Sequence, residues 1–587
     1  MTVSNQSATD QAGGGGSPRN GHLAGLDSIR ALAVTAVVAF HLVPALVPGG
    51  FVGVDVFFVV SGFLITTLLV RQLTHAGTID YWDFFRRRVR RLVPAAAVAV
   101  AVTGAIAFFV GGDVLVGVPA ALFGIATISS NWVQLLIGND YFARASSGLF
   151  DNFWSLAIEE QFYLLWPAAL AVLWRTRSRR RALWMMGGLT VLAGVSPLIL
   201  GATGHTDWAY LSTFGHAFGL LLGATAAIVA ARYSDVALRV SAQRGLAATA
   251  VLGLCATLIV MCAPMGTQPL LRPVMTVAAS ACALLVVLGT LYGAPRLARA
   301  LDRGPVGWTG RRAYGIYLWH FPLIVLADAM IPASREWGTL PGRILAVVVA
   351  IAAALLSYRF VETPVRRRGF RAVIGKRRGG IVAIALTSTL ALTSCGIVSS
   401  APEKTRLQQI LPGQDSNGDA PTTESAAALP ASARRVVAVG DSVMLASRNA
   451  LTTTFPGITV DAAVDRQLVN APKLVAKHLA ESPDTTAIVI GLGVNGVGGA
   501  ADLRAAVDAA RGLPVVVMSV SGPVAWEAAV NEAIVEVASE YSNVALGSWK
   551  AAADAHPQLI ASDGVHPGEG GGKLYAEAAK KALVSLP

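Results

Sequence analysis

Glu159 and Glu160 stand side by side in FWSLAIEEQFYLLWP (residues 153–167), an apolar and aromatic stretch of the kind that enters a lipid bilayer. A charged side chain at the bilayer centre costs about 2.5–3.5 kcal/mol even on insertion scales, so such a group needs a chemical role or a partner. Upstream, Arg30 and His41 lie eleven residues apart in GLDSIRALAVTAVVAFH. That is three helical turns, roughly 16 Å, and it sets both side chains on nearly the same helix face. Taken alone, Arg30 reads as a charge anchoring the helix at the cytoplasmic surface and His41 as a helix-end histidine. A neutral imidazole beside a carboxylate in a dry site is instead a general base held in one tautomer. His41 and Glu159 are expected at similar depth, so their pairing is the expected proton-transfer site.

Two further stretches add to this constellation. GGFVGVDVFFVVSGFLIT (49–66) carries Asp55 and Ser61 within a glycine-containing apolar helix. FFRRRVRRLVP (84–94) stacks arginines at a cytoplasmic helix start, where anionic phosphates bind. Near the C-terminus a different chemistry is spaced out along the chain. VGDSV (439–443) places Ser442 directly after a β-branched run, where the N–H groups at a helix start stabilise an oxyanion. GLGVNG (491–496) ends another such run with the side-chain donor Asn495, and SDGVHPGEGG (562–571) supplies Asp563 and His566 three residues apart. Acid, imidazole and hydroxyl in that order of roles can activate one nucleophile.

The elements that position these groups follow from composition. Of 587 residues 54% are hydrophobic and only 14% charged, far from the roughly 25% of globular domains. The net charge of +12 is gathered in clusters between apolar runs: RRRVRR (86–91), RTRSRRR (175–181), RRRGFR (366–371) and KRR (376–378). That is the distribution of cytoplasmic loops and excludes a nucleic-acid-binding reading. Spans are expected at 29–47, 51–70, 92–111, 154–174, 183–202, 211–231, 246–264, 273–292, 313–332, 343–361 and 380–398. Counting 115–136 as a span would put RTRSRRR outside, so 112–153 is expected to be an outer excursion. The result is eleven spans with the N-terminus in the cytoplasm.

The expected organisation is a disordered cytoplasmic tail at 1–22, without the pattern of a cleaved signal, and a membrane domain at 23–375. A linking helix at 376–398 and a flexible outer linker at 399–431 lead to an outer domain at 432–587. In that last part RRVVAVG (434–440), ITVDAAV (458–464), TAIVIGLG (486–493), PVVVMSV (514–520) and NVALGSW (543–549) alternate with helical patterns at 524–540 and 569–585. This predicts a doubly wound α/β domain with its ligands at the carboxyl ends of parallel strands. Cys255, Cys262, Cys282 and Cys395 all lie in apolar segments without metal-ligand spacing, and no metal site is expected.

The blocks GLDSIRALAV…FH, GGFVGVDVFFVVSGFLIT, FFRRRVRRLVP, FWSLAIEEQFYLLWP, YGIYLWHFPL (314–323) and SYRFVETPVRR (357–367) resemble, in order, the signatures of the acyltransferase-3 family. These are membrane enzymes that O-acylate extracytoplasmic glycans. The resemblance implies a ten-span catalytic unit, with the family's Arg-x10-His motif at Arg30 and His41, its block serine at Ser61 and its glutamate at Glu159. It also implies that Arg86, Arg87 and Arg90 hold the phosphates of an acyl-coenzyme A donor. One stretch departs: STFGHAFGLLLGA (212–224) has His216 where an arginine is expected and lacks the acid that follows. For His320, in YLWH, a packing or hydrogen-bonding role weighs at least as much as catalysis.

Residues 432–587 resemble the SGNH hydrolases, a flavodoxin-like three-layer fold. That resemblance makes Ser442 the nucleophile, His566 the base, Asp563 the orienting acid and Asn495 an oxyanion donor. AAVDRQL (462–468) departs from it, with Asp465 where a glycine N–H usually assists the oxyanion. The fusion is similar to the bimodular peptidoglycan and polysaccharide O-acetyltransferases. It implies a bacterial plasma-membrane enzyme that relays an acyl group, acetyl by default, from acyl-coenzyme A outward to a cell-envelope glycan with no bound cofactor. The rivals are a membrane-anchored carbohydrate esterase and a transporter; the latter predicts inverted repeats, which the chain does not show.

Overall fold

A computed structural model describes residues 23–44, 46–137, 148–176, 178–232, 240–263, 270–330, 340–375, 377–402, 435–464, 466–495, 499–522, 524, 526–561, 564–568 and 570–586. The first helix, α1 (Leu26–Leu42), is entered through Gly25 at φ 96°. Its N-terminus is held by a residue far along the chain. The Asp302 carboxylate accepts from the Gly25 N–H (2.6 Å), the Ser28 N–H (3.1 Å) and the Ser28 hydroxyl (2.7 Å). This satisfies donors that a helix start leaves open.

Next come α2 (Gly53–Ala76) and α3 (Tyr81–Val110), the latter capped by the Asp80 side chain on the Asp83 N–H. The segment expected as an outer excursion holds two short helices, α4 (Val118–Ala126) and α5 (Ser130–Leu136). Ile128 at φ 57° breaks the path between them. α6 (Phe153–Arg175) carries the paired glutamates, and α7 (Arg179–Ala202) follows. The single span expected at 211–231 is broken. Ser212 is extended (φ −72°, ψ 145°) and its hydroxyl caps the Gly215 N–H, so α8 (Thr206–Leu211), α9 (Thr213–His216) and α10 (Phe218–Arg232) stand in its place.

The remaining helices are α11 (Val240–Cys262), α12 (Leu271–Leu288), α13 (Pro295–Arg303), α14 (Pro305–Gly310), α15 (Ala313–Met330), α16 (Leu340–Ser357), α17 (Thr363–Arg368), α18 (Phe370–Ile374) and α19 (Arg377–Ser400). α16 passes into α17 through a π-helical turn, Tyr358–Glu362, a distortion often found at functional sites. Among the described residues eight helices are long and apolar enough to cross a membrane. At 17 and 15 residues, roughly 26 and 22 Å, α1 and α10 fall short of a typical hydrocarbon core.

α2 and α10 pack backbone to backbone through small residues, as membrane helices do. A Cβ built on Gly62 would lie 2.0 Å from the Leu220 carbonyl oxygen, and one on Gly223 would lie 2.2 Å from that of Val59.

The C-terminal part is a five-stranded parallel sheet of order β2-β1-β3-β4-β5. Its strands are β1 (Val436–Gly440), β2 (Thr459–Ala462), β3 (Ala487–Gly491), β4 (Val515–Met518) and β5 (Val544–Gly547). β1, β3 and β4 are buried throughout, as expected of parallel strands covered on both faces. Helices Arg448–Thr454, Trp549–Ala555 and Gly571–Val584 pack together as one layer, and Ala471–Glu481, Ala500–Ala509 and Glu527–Glu540 as the other. β1 lies between β2 and β3, so the chain changes direction across the sheet there and opens a crevice at the strands' carboxyl ends.

Valine at position 62 or 223 is therefore expected to separate α2 from α10 at a cost above about 3 kcal/mol and to abolish accumulation of the full-length chain in membranes. Gly188→Ala, whose Cβ meets nothing within 4 Å, is the control and is expected to accumulate normally on immunoblots of the same fractions.

Candidate active site

The membrane helices enclose a cavity of about 340 Å³ lined by Arg30, Ser61 and Glu159. Glu159 accepts short hydrogen bonds from the Ser61 and Tyr163 hydroxyls, so its carboxylate is satisfied from α2 and from its own helix. Tyr314, Tyr317 and Tyr358 also line the cavity. Glu160 pairs with no arginine among the described residues and does not cap α6, which is preceded by Asn152.

The cationic lining is not the expected set. Arg86 and Arg87 are exposed, with Arg87 paired to Asp83 one turn earlier. The Arg90 guanidinium packs against Gly369, where a built Cβ would meet its Nη2 at 2.6 Å. Arg88 and Arg91 reach the cavity instead, joined by Arg311 and Arg366. A signal for this was present in the sequence: Phe84, Arg88 and Arg91 are spaced i, i+4, i+7 and share one helix face. Phe84 is buried, and the Arg88 guanidinium lies over its ring (5.6 Å) and that of Tyr163 (5.4 Å).

His41 and Glu159 are not brought together. Gly53 packs against Ala33 of α1. His41 lies eight residues, roughly 12 Å, toward the far end of α1, and Ser61 lies eight residues, roughly 12 Å, along α2 in the opposite sense. The His41 ring instead meets His320, with Nδ1 3.2 Å from His320 Nε2, and packs edge-on against Phe321. His216 is a buried partner of Asp55. Its Nε2 is 3.1 Å from Asp55 Oδ1 and its Nδ1 2.8 Å from the Tyr210 carbonyl oxygen.

In the α/β domain, Ser442 sits at the β1 carboxyl end, 1% exposed, with Oγ 2.7 Å from His566 Nε2. Asn495, after β3, has a buried Nδ2 with no hydrogen-bond partner among the described residues. A buried donor left open at a strand end is available to charge that develops during a reaction. Asp563 and Asp465 lie outside the described residues.

Two residues that the motif reading passed over shape this crevice. Asp441 accepts from the Val443 N–H (3.0 Å) through Oδ1 and from the Val494 N–H (3.3 Å) through Oδ2, tying the serine turn to the Asn495 loop. Arg466 donates to the Asp461 carbonyl (2.5 Å) and carboxylate (2.7 Å), and to the Gly440 carbonyl (3.4 Å) just ahead of Asp441. His478 and Arg466 together hold the Asp461 carboxyl well below its usual range.

A profile of the acyltransferase-3 family, an acyltransferase domain, matches residues 23–359, more than half of the chain. The chain belongs to the acyltransferase-3 family. The acyltransferase is similar to the peptidoglycan O-acetyltransferase OatA of Listeria monocytogenes, with 30% identity over 94% of this chain and 96% of the relative. It is also similar to the O-acetyltransferase OatA of Staphylococcus aureus, with 27% identity over 97% and 96%. Among solved structures it matches the C-terminal catalytic domain of Streptococcus pneumoniae peptidoglycan O-acetyltransferase A carrying a methylsulfonyl adduct. That match has 26% identity, covers 26% of this chain and 92% of that one, and has a TM-score of 0.24.

Burial pushes the Asp441 carboxyl up from 3.8 to about 6, against the pull of the Val443 and Val494 N–H groups. The native domain thus binds this proton more tightly than the unfolded chain does. The stability linked to it is fully present below pH 4 and lost as pH rises through about 6, a change of roughly 3 kcal/mol for two units. Asp441→Asn is expected to flatten that fall, measured by hydrogen exchange of β1 and β3 in the full-length protein between pH 4 and 7. It is also expected to lower activity roughly tenfold, because one amide oxygen cannot hold both N–H groups.

Proposed function

We propose that this acyltransferase moves an acetyl group from cytoplasmic acetyl-coenzyme A to hydroxyls of peptidoglycan, the polymer named for its Listeria relative. The reading retains eleven spans with a cytoplasmic N-terminus, and an SGNH-type domain outside a bacterial plasma membrane. Arg30, Arg88, Arg91, Arg311 and Arg366 give the inner cavity the charge to hold the donor's phosphates as charge-assisted, often bidentate, contacts. The donor's flexible arm then directs the acyl end toward His41, the general base of the membrane step. The Ser61–Glu159–Tyr163 cluster fixes the cavity wall between them.

Outside, Ser442 Oγ attacks the incoming acyl carbonyl while His566 Nε2 takes its proton. The tetrahedral oxyanion is met by Asn495 Nδ2 and the N–H groups at the start of the Ser442 helix. Collapse breaks the bond to the alcohol that carried the acyl group outward, which leaves with the proton from His566, and yields an acyl-serine. A glycan hydroxyl, deprotonated by His566, then takes the acyl group and restores Ser442. The observation that carries this reading is the 2.7 Å Ser442–His566 contact at the end of β1, together with an Asn495 Nδ2 after the neighbouring β3 that has no partner among the described residues, in a chain whose other half belongs to a membrane acyltransferase family.

The test is base-labile acetate released from cell walls, with wild type compared to His41→Ala and Ser442→Ala at matched expression. Loss of wall ester by a factor on the order of 10² or more in both variants supports the relay. A rise in ester with Ser442→Ala identifies the outer domain as an esterase and overturns it.

A further inference from the structure

We infer that His320 is the positioning residue for His41: it fixes which ring nitrogen of His41 carries the proton and so which one acts as base. This rests on the reading of His41 as the base of the membrane step. His320 is 0% exposed in α15, and its Nδ1 lies 2.8 Å from the Tyr317 carbonyl oxygen and 3.2 Å from that of Ile316. A carbonyl oxygen only accepts, so His320 Nδ1 carries a hydrogen.

A doubly protonated ring here would be a buried charge set against a second imidazole and the Phe321 ring, an arrangement that desolvation opposes. The ring is therefore neutral, and its Nε2 presents a lone pair. The atom facing that lone pair at 3.2 Å is His41 Nδ1, on a ring that also hydrogen-bonds the Val37 carbonyl one turn earlier; since His320 Nε2 can only accept, His41 Nδ1 is the donor toward it. The proton of neutral His41 is placed on Nδ1, and the basic lone pair on Nε2.

The backbone of α15 thus does, through one imidazole, what a carboxylate does in a hydrolase triad: it orients the base and sets its tautomer. It also explains how His41 is organised without Glu159. In the transfer step the hydroxyl oxygen of an acceptor alcohol, the carrier that takes the acyl group outward, forms its bond to the thioester carbonyl carbon and its proton passes to His41 Nε2. The carbon–sulfur bond breaks, and the leaving thiolate takes that proton back. Throughout, the Nδ1–H bond to His320 holds the imidazolium in place.

The experiment uses the full-length protein in proteoliposomes with acetyl-coenzyme A, reading thiol release, together with ¹⁵N spectra of labelled histidine in the wild-type protein. His320→Ala is expected to lower kcat on the order of 10²-fold with KM for acetyl-coenzyme A within about twofold. His320→Gln, which keeps an acceptor oxygen opposite His41 Nδ1, is expected to recover at least about tenfold of that loss. The wild-type His41 signals, assigned by their loss in His41→Ala, are expected to show the proton on Nδ1. A proton on Nε2, equal losses in His320→Ala and His320→Gln, or wild-type kcat in both overturns the inference. Wild-type thiol release by His41→Ala would instead refute His41 as the base, a separate result.

Discussion

A carboxylate among apolar helices has to find its hydrogen bonds within the protein, and Glu159 finds two, from the Ser61 and Tyr163 hydroxyls. Those contacts join α2 to α6 at the wall of the cavity, so the groove between arginine-bearing helices depends on a polar contact that lipid cannot replace. The same constraint recurs wherever charge enters the helical domain. Asp302 spends its carboxylate on the start of α1, and Asp55 lies against His216. Each pair fixes one helix relative to another far along the chain, where greasy surfaces alone would slide.

The outer domain obeys the same logic at smaller scale. A parallel sheet delivers Ser442 and Asn495 to neighbouring strand ends, but strand ends alone do not set their separation. Asp441 does so by accepting from N–H groups on both loops, and burial raises its pKa as a consequence. Arg466 braces the same turn from the β2 side. Ser442 is thus held by backbone contacts of residues that take no proton from it.

Much of this was legible in the sequence because it is written in periods. Apolar runs bounded by arginine clusters located the helices, and β-branched runs located all five strands to within a few residues. What failed was local or relational. The break at Ser212 depends on one hydroxyl capping a turn, which hydropathy does not see. The arginine cluster was read by proximity along the chain, whereas the helix presents Arg88 and Arg91 on the face of Phe84 and turns Arg86 and Arg87 away. The expected His41–Glu159 pair assumed that two helix-end groups share a depth. The contact of Gly53 with Ala33 sets the slide of α2 along α1 and keeps them apart.

That separation bears on why one chain carries two nucleophile-activating sites. A charged donor is, in the proposed relay, held at arginines near one side of the membrane and a glycan is acylated on the other, so no single base reaches both. In the proposed relay the membrane site handles a thioester in a dry environment, where a neutral imidazole oriented by another imidazole suffices. The outer site faces water, and there a serine stores the acyl group as an ester until a hydroxyl competes successfully for it. Burial of Ser442 to 1% exposure would serve that second need in the proposed relay, since it limits the access of water to an ester held there. The two halves are then different answers to one problem, which is keeping an activated acyl group from hydrolysis while it changes sides.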